Sequence, residues 1–521
     1  MGEARRSSTT RRRFVAPLLI LCTFIAILMG VRARSWHDLP EWDTGTYYVV
    51  ANQLNHGQSL YADTWDMKPP GIFYTYAAAM RVTTDWHKLL YGLGVASAAV
   101  TLVGIWLITA TVSRSAALWA CAFWVALCFE PTTSANLPNC ESFMNAFIAL
   151  GWAAFLRLST PSPCTQGEGR GEGSSFASTA GWAFLAGALF GLASIYKQVA
   201  VAPALAIAVG HVFLSPTNTR RRAIAQSIAM LSTIALCWLA LFAWFAFTGR
   251  AWLFGQTLVS YSRFYSGNPL TNLAGTFTRS AWISAPLLAL WPAATLTIVA
   301  LVLCWRDADD ARRRRFAILL LAMLVGSWIA VAAPGHWNAH YFQLLFPAVC
   351  VGAGVGSAGL ISLRPGLRVV VALAVLATLG PQLDWLREGG ANWAAHRNIG
   401  WFTATRDDFL KAEALIPEDQ PIYVWGDEPW LYVLTNRRCR YAAVWRQHAV
   451  EGPLASYLTN RTLEQLKANP PAMIACFGGA WPADHPVVQW MHQEGYTPVA
   501  GLNPYPLQCF IRGQDGAATQ P

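Results

Sequence analysis

Apolar stretches of membrane-spanning length recur from the N-terminus to about residue 385, and they restrict the fold more than any other feature. They cover 14–31, 88–112, 115–130, 142–158, 179–195, 199–216, 223–247, 280–305, 316–333, 342–361 and 369–385. A helix needs about 20 predominantly apolar residues to cross ~30 Å of hydrocarbon. None of these eleven segments alternates with period two as barrel strands do. Each is therefore expected to be a helix that satisfies its own backbone polar groups in lipid. The charged fraction of 13% agrees, since soluble domains carry about 25%. The chain reads as an α-helical polytopic membrane protein and not as a string of soluble domains.

Basic residues set the expected orientation. Arg5, Arg6, Arg11, Arg12 and Arg13 precede the first apolar segment. With that end in the cytoplasm, eleven crossings place Arg220–Arg222, Arg312–Arg315, Arg364 and Arg368 on the same side, as the positive-inside rule requires. Of 27 Lys/Arg before residue 384, 18 then lie inside and nine outside. A miscount by one helix would put the Arg220 and Arg312 clusters on opposite faces. The net charge of +10 is concentrated in this part, because residues 384–521 hold 11 basic and 14 acidic side chains. That excess is an orientation signal against anionic lipid, so no nucleic-acid partner is expected. No convincing small-residue cleavage site follows segment 14–31, which is expected to remain as the first membrane helix.

The expected domains are a transmembrane part, 1–385, and an outer α/β part, 386–521. In the latter PIYVWG (421–426), PAMIACFGG (471–479) and YPLQCFIR (505–512) read as strands, and DEPWLYVLT and 486–493 as helices. An odd number of crossings places this part outside. Among its cysteines, Cys439, Cys476 and Cys509 leave room for one disulfide, and no metal spacing occurs among the eleven cysteines of the chain. The inside loop 159–178, rich in Gly, Ser and Pro, is a flexible connector; its GEG triplets lack the GK[ST] of a phosphate loop.

Most of the unusual chemistry sits in the first outside loop, 32–87. Residues 44–56 are expected to form a short amphipathic helix at the membrane interface, and Pro69-Pro70 to break any helix before the aromatic stretch Ile72–Tyr76. Asp43, Asp66, Lys68, Glu141, Lys197 and His340 all map outside, at or near helix ends. Ionisable groups near membrane depth are costly and point to function. Their clustering on one face favours an enzyme over a transporter or flippase; a non-catalytic membrane assembly factor is the other rival.

The segment EWDTGTYYVVANQLNHGQSLYADTWDMKPPGIFY resembles the first outer loop of the GT-C-fold membrane glycosyltransferases that use polyprenyl-phosphate sugars, such as protein O-mannosyltransferases and lipid A aminoarabinose transferases. The match includes an acidic residue just ahead of Tyr47, a spaced G…LY…W and Lys68-Pro69-Pro70-Gly71. NCESFMNAFIALGWAAF, GLASIYKQVAVAPAL, GHWNAHYFQLLFPA and IYVWGDEPWLYVLTNRRCRYA extend the similarity in the expected order. Lipid A-modifying relatives carry an acidic residue directly before the KPP lysine; here Met67 stands there and Asp66 one position earlier.

The resemblance implies an inverting transfer of sugar from a polyprenyl-phosphate donor to a glycan, lipid or protein acceptor. It makes Asp43 the base that takes the acceptor proton, with Glu141 as the partner acid. Lys68 would hold the donor phosphate as a point charge, with Lys197, His340 and Tyr341 as further substrate-binding residues. Glu141 at a helix start is also a good helix-terminus acid, and Trp337 and Tyr341 suit an interfacial aromatic belt. Asp43 and Glu141 could share a divalent metal ion, since hard cations prefer oxygen ligands.

Overall fold

The computed structural model describes residues 2–159, 173–307, 310–388, 401–477, 484–502 and 507–512. The connector and Cys164 lie mostly outside these residues; a helix, Gly173–Ser194, begins within the connector's last few residues. Among the described residues, seven helices are long and apolar enough to cross a membrane. Four shorter apolar helices, Arg114–Leu127, Cys140–Leu156, Ala180–Ser194 and Gln198–Leu214, occupy the remaining expected segments. All eleven apolar runs are therefore helical.

The chain divides into two compact units. The first holds residues 1–36, 90–241 and 266–387. At its centre Phe346–Leu363 packs against Ser280–Arg306 and Arg114–Leu127. Glycines make this possible. A Cβ at Gly354 would overlap the Ala116 carbonyl oxygen, and one at Gly356 would overlap that of Leu296. Lipid supplies no hydrophobic drive between helices, so close backbone approach over small residues is how such helices bind one another. Thr297 Oγ1 donates across the same contact to the Val349 carbonyl at 2.9 Å. On the outside of the unit, Ile228, Leu236 and Leu239 of Thr217–Phe247 are exposed. Apolar side chains on this scale have no place in water and match a lipid-facing surface.

The second unit gathers 37–89, 242–265 and 388–521. Its four-stranded sheet has the order β1-β2-β4-β3, with β1 Ile422–Trp425, β2 Met473–Phe477, β3 Tyr496–Pro498 and β4 Leu507–Arg512. β1 and β2 pair in parallel, whereas β4 runs antiparallel to both β2 and β3. Every residue of β1 and β2 is buried, the mark of strands covered on both faces. The three strands and two helices expected in this region are present; β3 is an addition. Cys439, Cys476 and Cys509 are buried free thiols, so the disulfide considered for them does not form.

The first outside loop is woven into this unit. Trp42–Asn55 forms the expected helix, but it is no interfacial amphipath: Thr44 to Ala51 are buried without interruption. It packs on Gly71–Met80 and on Trp430–Thr435. The approach to the latter is so close that a Cβ on Gly45 would lie 2.7 Å from the Trp430 nitrogen. The aromatic stretch after Pro70 is itself helical, Gly71–Met80, because Pro70 ends the preceding loop and occupies the N-cap. Further along, the Trp65 N–H donates to the Ala442 carbonyl at 3.1 Å, and Arg461 pairs with Asp63 at 2.6 Å.

Candidate functional site

Within the second unit, Lys68 is held by its backbone before its side chain does anything. Its N–H donates to Asp66 Oδ1 at 3.0 Å, and its carbonyl accepts from the Tyr61 hydroxyl at 2.8 Å. Tyr61 is fully buried in the left-handed region, φ 70°, a conformation rare for a bulky residue. Its ring is fixed by Phe245 and Phe254. Strain of this kind persists where surrounding packing enforces it, often beside functional groups.

So anchored, Lys68 Nζ donates to Asp43 Oδ1 at 2.8 Å and lies 3.7 Å from Asp66 Oδ1. It also sits over the Tyr47 ring at 5.2 Å. The lysine side chain is 9% exposed and that of Asp43 is 22% exposed. Asp43 is in the first turn of Trp42–Asn55, where an acid is favoured by the helix dipole. Two residues expected to act on the same substrate are thus in direct contact, and Asp66 completes a triad of charge.

Close by is an aromatic group whose assembly the sequence does not show. Trp65 packs edge-on against Tyr261 at 4.8 Å and against His448 at 4.9 Å. Tyr261 ends the π-helical segment Gln256–Tyr261. Burial, with the Asp66 carboxylate, pushes its phenol well above its ordinary value, while Lys68 pulls it down. His448 is pushed down to about 3, first by burial and then by the Lys68 charge, so its ring is neutral. At the start of Trp42–Asn55, Trp42 Nε1 donates to Glu428 Oε2 at 2.9 Å, and Trp430 Nε1 donates to the same oxygen.

Within the first unit, Glu141 lies in the first turn of Cys140–Leu156, after Asn139 at the N-cap. It is fully buried, and Lys197 Nζ donates to its Oε1 at 2.5 Å. Lys197 is in extended backbone between Gly173–Ser194 and Val201–Leu214, the tight hairpin expected from the sequence. Its ammonium also sits 4.3 Å from the Tyr341 ring centroid. His340 packs edge-on to Tyr341 at 4.7 Å, both in the 3-10 segment Ala339–Leu345. Tyr341 therefore faces a charged pair, which a role as interfacial belt would not require. Glu141 Oε2 and Asn139 Oδ1 are buried with no hydrogen-bond partner.

No protein-family profile and no curated protein sequence matches the chain. Solved structures do. ArnT from Cupriavidus metallidurans bound to undecaprenyl phosphate superposes with a TM-score of 0.55 at 16% identity, covering 97% of this chain and 100% of that one. Its apo form gives 0.55 at 14% identity, over 99% and 100%. The archaeal oligosaccharyltransferase AglB from Archaeoglobus fulgidus, in complex with an inhibitory peptide and a dolichol-phosphate, gives 0.51 at 12% identity, over 97% and 75%. The chain has the GT-C fold.

Proposed function

We propose that the protein is a membrane glycosyltransferase of the bacterial inner membrane, with its N-terminus cytoplasmic and its C-terminal domain periplasmic. It takes a sugar from a polyprenyl-phosphate donor and transfers it to a hydroxyl of a glycan, lipid or protein. The observation that carries this reading is the Lys68–Asp43 pair at 2.8 Å on a GT-C chain. Neighbours of that fold hold undecaprenyl phosphate and dolichol phosphate, ligands whose charge a nearly buried ammonium suits.

In the proposed step the acceptor oxygen attacks C1 of the sugar. The C1–O bond breaks, its electron pair leaves on the phosphate, and Asp43 takes the acceptor proton; a single displacement of this kind inverts C1. Without donor, Asp43 and Lys68 neutralise each other. A bound phosphate competes for the ammonium, which then opposes the negative charge growing on the leaving group. Asp43 is released to face the acceptor hydroxyl. General-base help of this sort typically supplies about 10²–10⁴ in rate.

Lys197, Glu141, His340 and Tyr341 form the second polar group, suited to sugar hydroxyls and phosphate. Glu141 Oε2 and Asn139 Oδ1 are unpartnered oxygens of the type a hard cation prefers. Among the described residues no group of three or more His, Cys, Asp or Glu is gathered, so any metal would draw on few protein ligands. A bound divalent cation would supply positive charge toward phosphate or acceptor. By itself the helical unit carries an apolar cavity of about 580 Å³ lined by Leu287, Leu290, Trp291, Ile298, Val325 and Trp328. The donor's isoprenoid matches such a wall in polarity.

Purified protein supplied with a panel of labelled polyprenyl-phosphate sugars and membrane-derived acceptors tests the reading. Asp43→Asn is expected to lose about 10²-fold or more in turnover. Undiminished transfer by this variant removes Asp43 as base. Sugar movement across vesicles with no glycosidic bond formed would favour the transporter instead.

A further inference from the structure

The aromatic group around Lys68 poses a question: why does it contain a histidine? His448 lies on the short helix Arg446–Val450 and is 6% exposed. Its ring is walled by Trp65 at 4.9 Å, Tyr261 at 5.5 Å and Trp445 at 5.9 Å. The indole N–H groups of the walls are used: that of Trp65 donates to Thr257 Oγ1 at 3.0 Å, and that of Trp445 to Thr46 Oγ1. His448 Nδ1, by contrast, is buried and has no hydrogen-bond partner. An unsatisfied buried polar atom costs about 1–3 kcal/mol. As packing alone, phenylalanine would fill this place without that cost.

The electrostatics narrow what would satisfy it. Trp65, three residues before Lys68, brings the ring to the Lys68 segment at 4.9 Å, and burial first, with the Lys68 charge second, keeps the imidazole neutral. Tyr261 feels Lys68, Asp66 and Glu451 together. An ammonium and a neutral imidazole N–H without a partner both gain from one kind of ligand, an anion with several acceptor oxygens. A phosphate fits: one oxygen answers Lys68, another accepts from the imidazole. A carboxylate acceptor on the protein is not the remedy here, since Asp43 and Asp66 already attend Lys68.

We propose that His448 is a second phosphate ligand beside Lys68, contributed by the C-terminal α/β segment. In the Nδ1–H tautomer it donates a hydrogen bond to a phosphate oxygen of the polyprenyl carrier. As the C1–O bond breaks and its electron pair moves onto the phosphate, that hydrogen bond strengthens while the proton stays on nitrogen. The inference rests on the glycosyltransferase reading above and deepens it, because it gives the outer segment a part in donor binding. Trp65, Tyr261 and Trp445 leave the imidazole little freedom, so a hydrogen bond from it costs little of the entropy of ordering a mobile side chain.

The test measures binding of undecaprenyl phosphate to the purified full chain, together with kcat and KM for a labelled donor found to be used. His448→Phe keeps the ring and its stacking but lacks nitrogen; His448→Met fills the space differently, should the first variant fold poorly. Both are expected to bind undecaprenyl phosphate about tenfold more weakly, equivalent to about 1.4 kcal/mol, with thermal stability unchanged or raised. His448→Gln, whose amide can donate, is expected to recover part of the loss, which a merely structural histidine would not predict. Phe and Met variants that bind as tightly as wild type overturn the inference. If Lys68→Met still loses binding in that case, the glycosyltransferase reading stands without it. If wild type itself binds no undecaprenyl phosphate and transfers no sugar, both fall.

Discussion

Glu428 is the residue whose replacement should speak most clearly. It is 4% exposed, and its Oε2 accepts the indole N–H groups of Trp42 and Trp430. Burial, with a smaller contribution from Asp427, pushes its carboxyl from the ordinary 4.5 up to about 8, although the two indole donors pull the other way. Asp427 is raised as well, again chiefly by burial. Between about pH 4.5 and 8 the unfolded chain has released the Glu428 proton while the folded chain keeps it. Stability therefore falls across that window as pH rises, and levels off above it. At pH 7 the interval is about 2.5 units, or about 3 kcal/mol at 1.36 kcal/mol per unit. Gln cannot ionise, and its amide oxygen accepts the same two indole N–H groups. Glu428→Gln should thus be more stable than wild type at pH 8 and far less dependent on pH between 5 and 8. For a unit of this size 1 kcal/mol is worth roughly 2–4 °C, so the difference should be several degrees. Thermal melts in detergent, followed by tryptophan fluorescence at constant ionic strength from pH 5 to 9, read it directly. Parallel curves for the two proteins across pH 5–8 would show that Glu428 is ionised in the fold and refute the reasoning.

Three further outcomes follow from the packing. Gly45→Ala places a Cβ 2.7 Å from the Trp430 nitrogen, which is backbone and cannot turn aside; the helix carrying Asp43 must shift, and sugar transfer should drop at least tenfold, roughly the cost of a small misplacement of a reacting group. Lys197→Met leaves Glu141 buried without its partner and should cost about 3–5 kcal/mol, measured by melting; the double variant with Glu141→Gln should be milder than Lys197→Met alone. Because Cys439, Cys476 and Cys509 are buried free thiols, melting should be unchanged by dithiothreitol, and these cysteines should react with maleimide only after denaturation.

The two ion pairs, one in each unit, share a construction. Asp43 and Lys68 are 25 residues apart, and Glu141 and Lys197 are 56 apart. Each joins an acid at a helix start to a lysine in non-helical backbone. Loops of this sort can be shaped to approach a ligand, while the helix start gives the carboxylate a fixed place. The cost of holding Lys68 is borne by its surroundings, visible in the left-handed Tyr61 and the Asp66 turn.

The amino-acid order by itself determined the eleven apolar helices and the strands at 422–425, 473–477 and 507–512, and it singled out Asp43, Lys68, Glu141 and Lys197 as candidates. Apolar length and local periodicity are written in neighbouring residues, so no distant information is needed. The sequence did not reveal that the helix from Trp42 is buried all round, because its burial comes from Gly71–Met80 and Trp430–Thr435 and not from its own pattern. Nor did it reveal the aromatic group, whose Trp65, Tyr261 and His448 come from three segments of the chain. His448 in particular reads locally as one polar residue in a short charged stretch. Its solitary nitrogen and its lysine neighbour exist only once packing brings those segments together, since desolvation and Coulomb forces depend on distance in space and not along the chain.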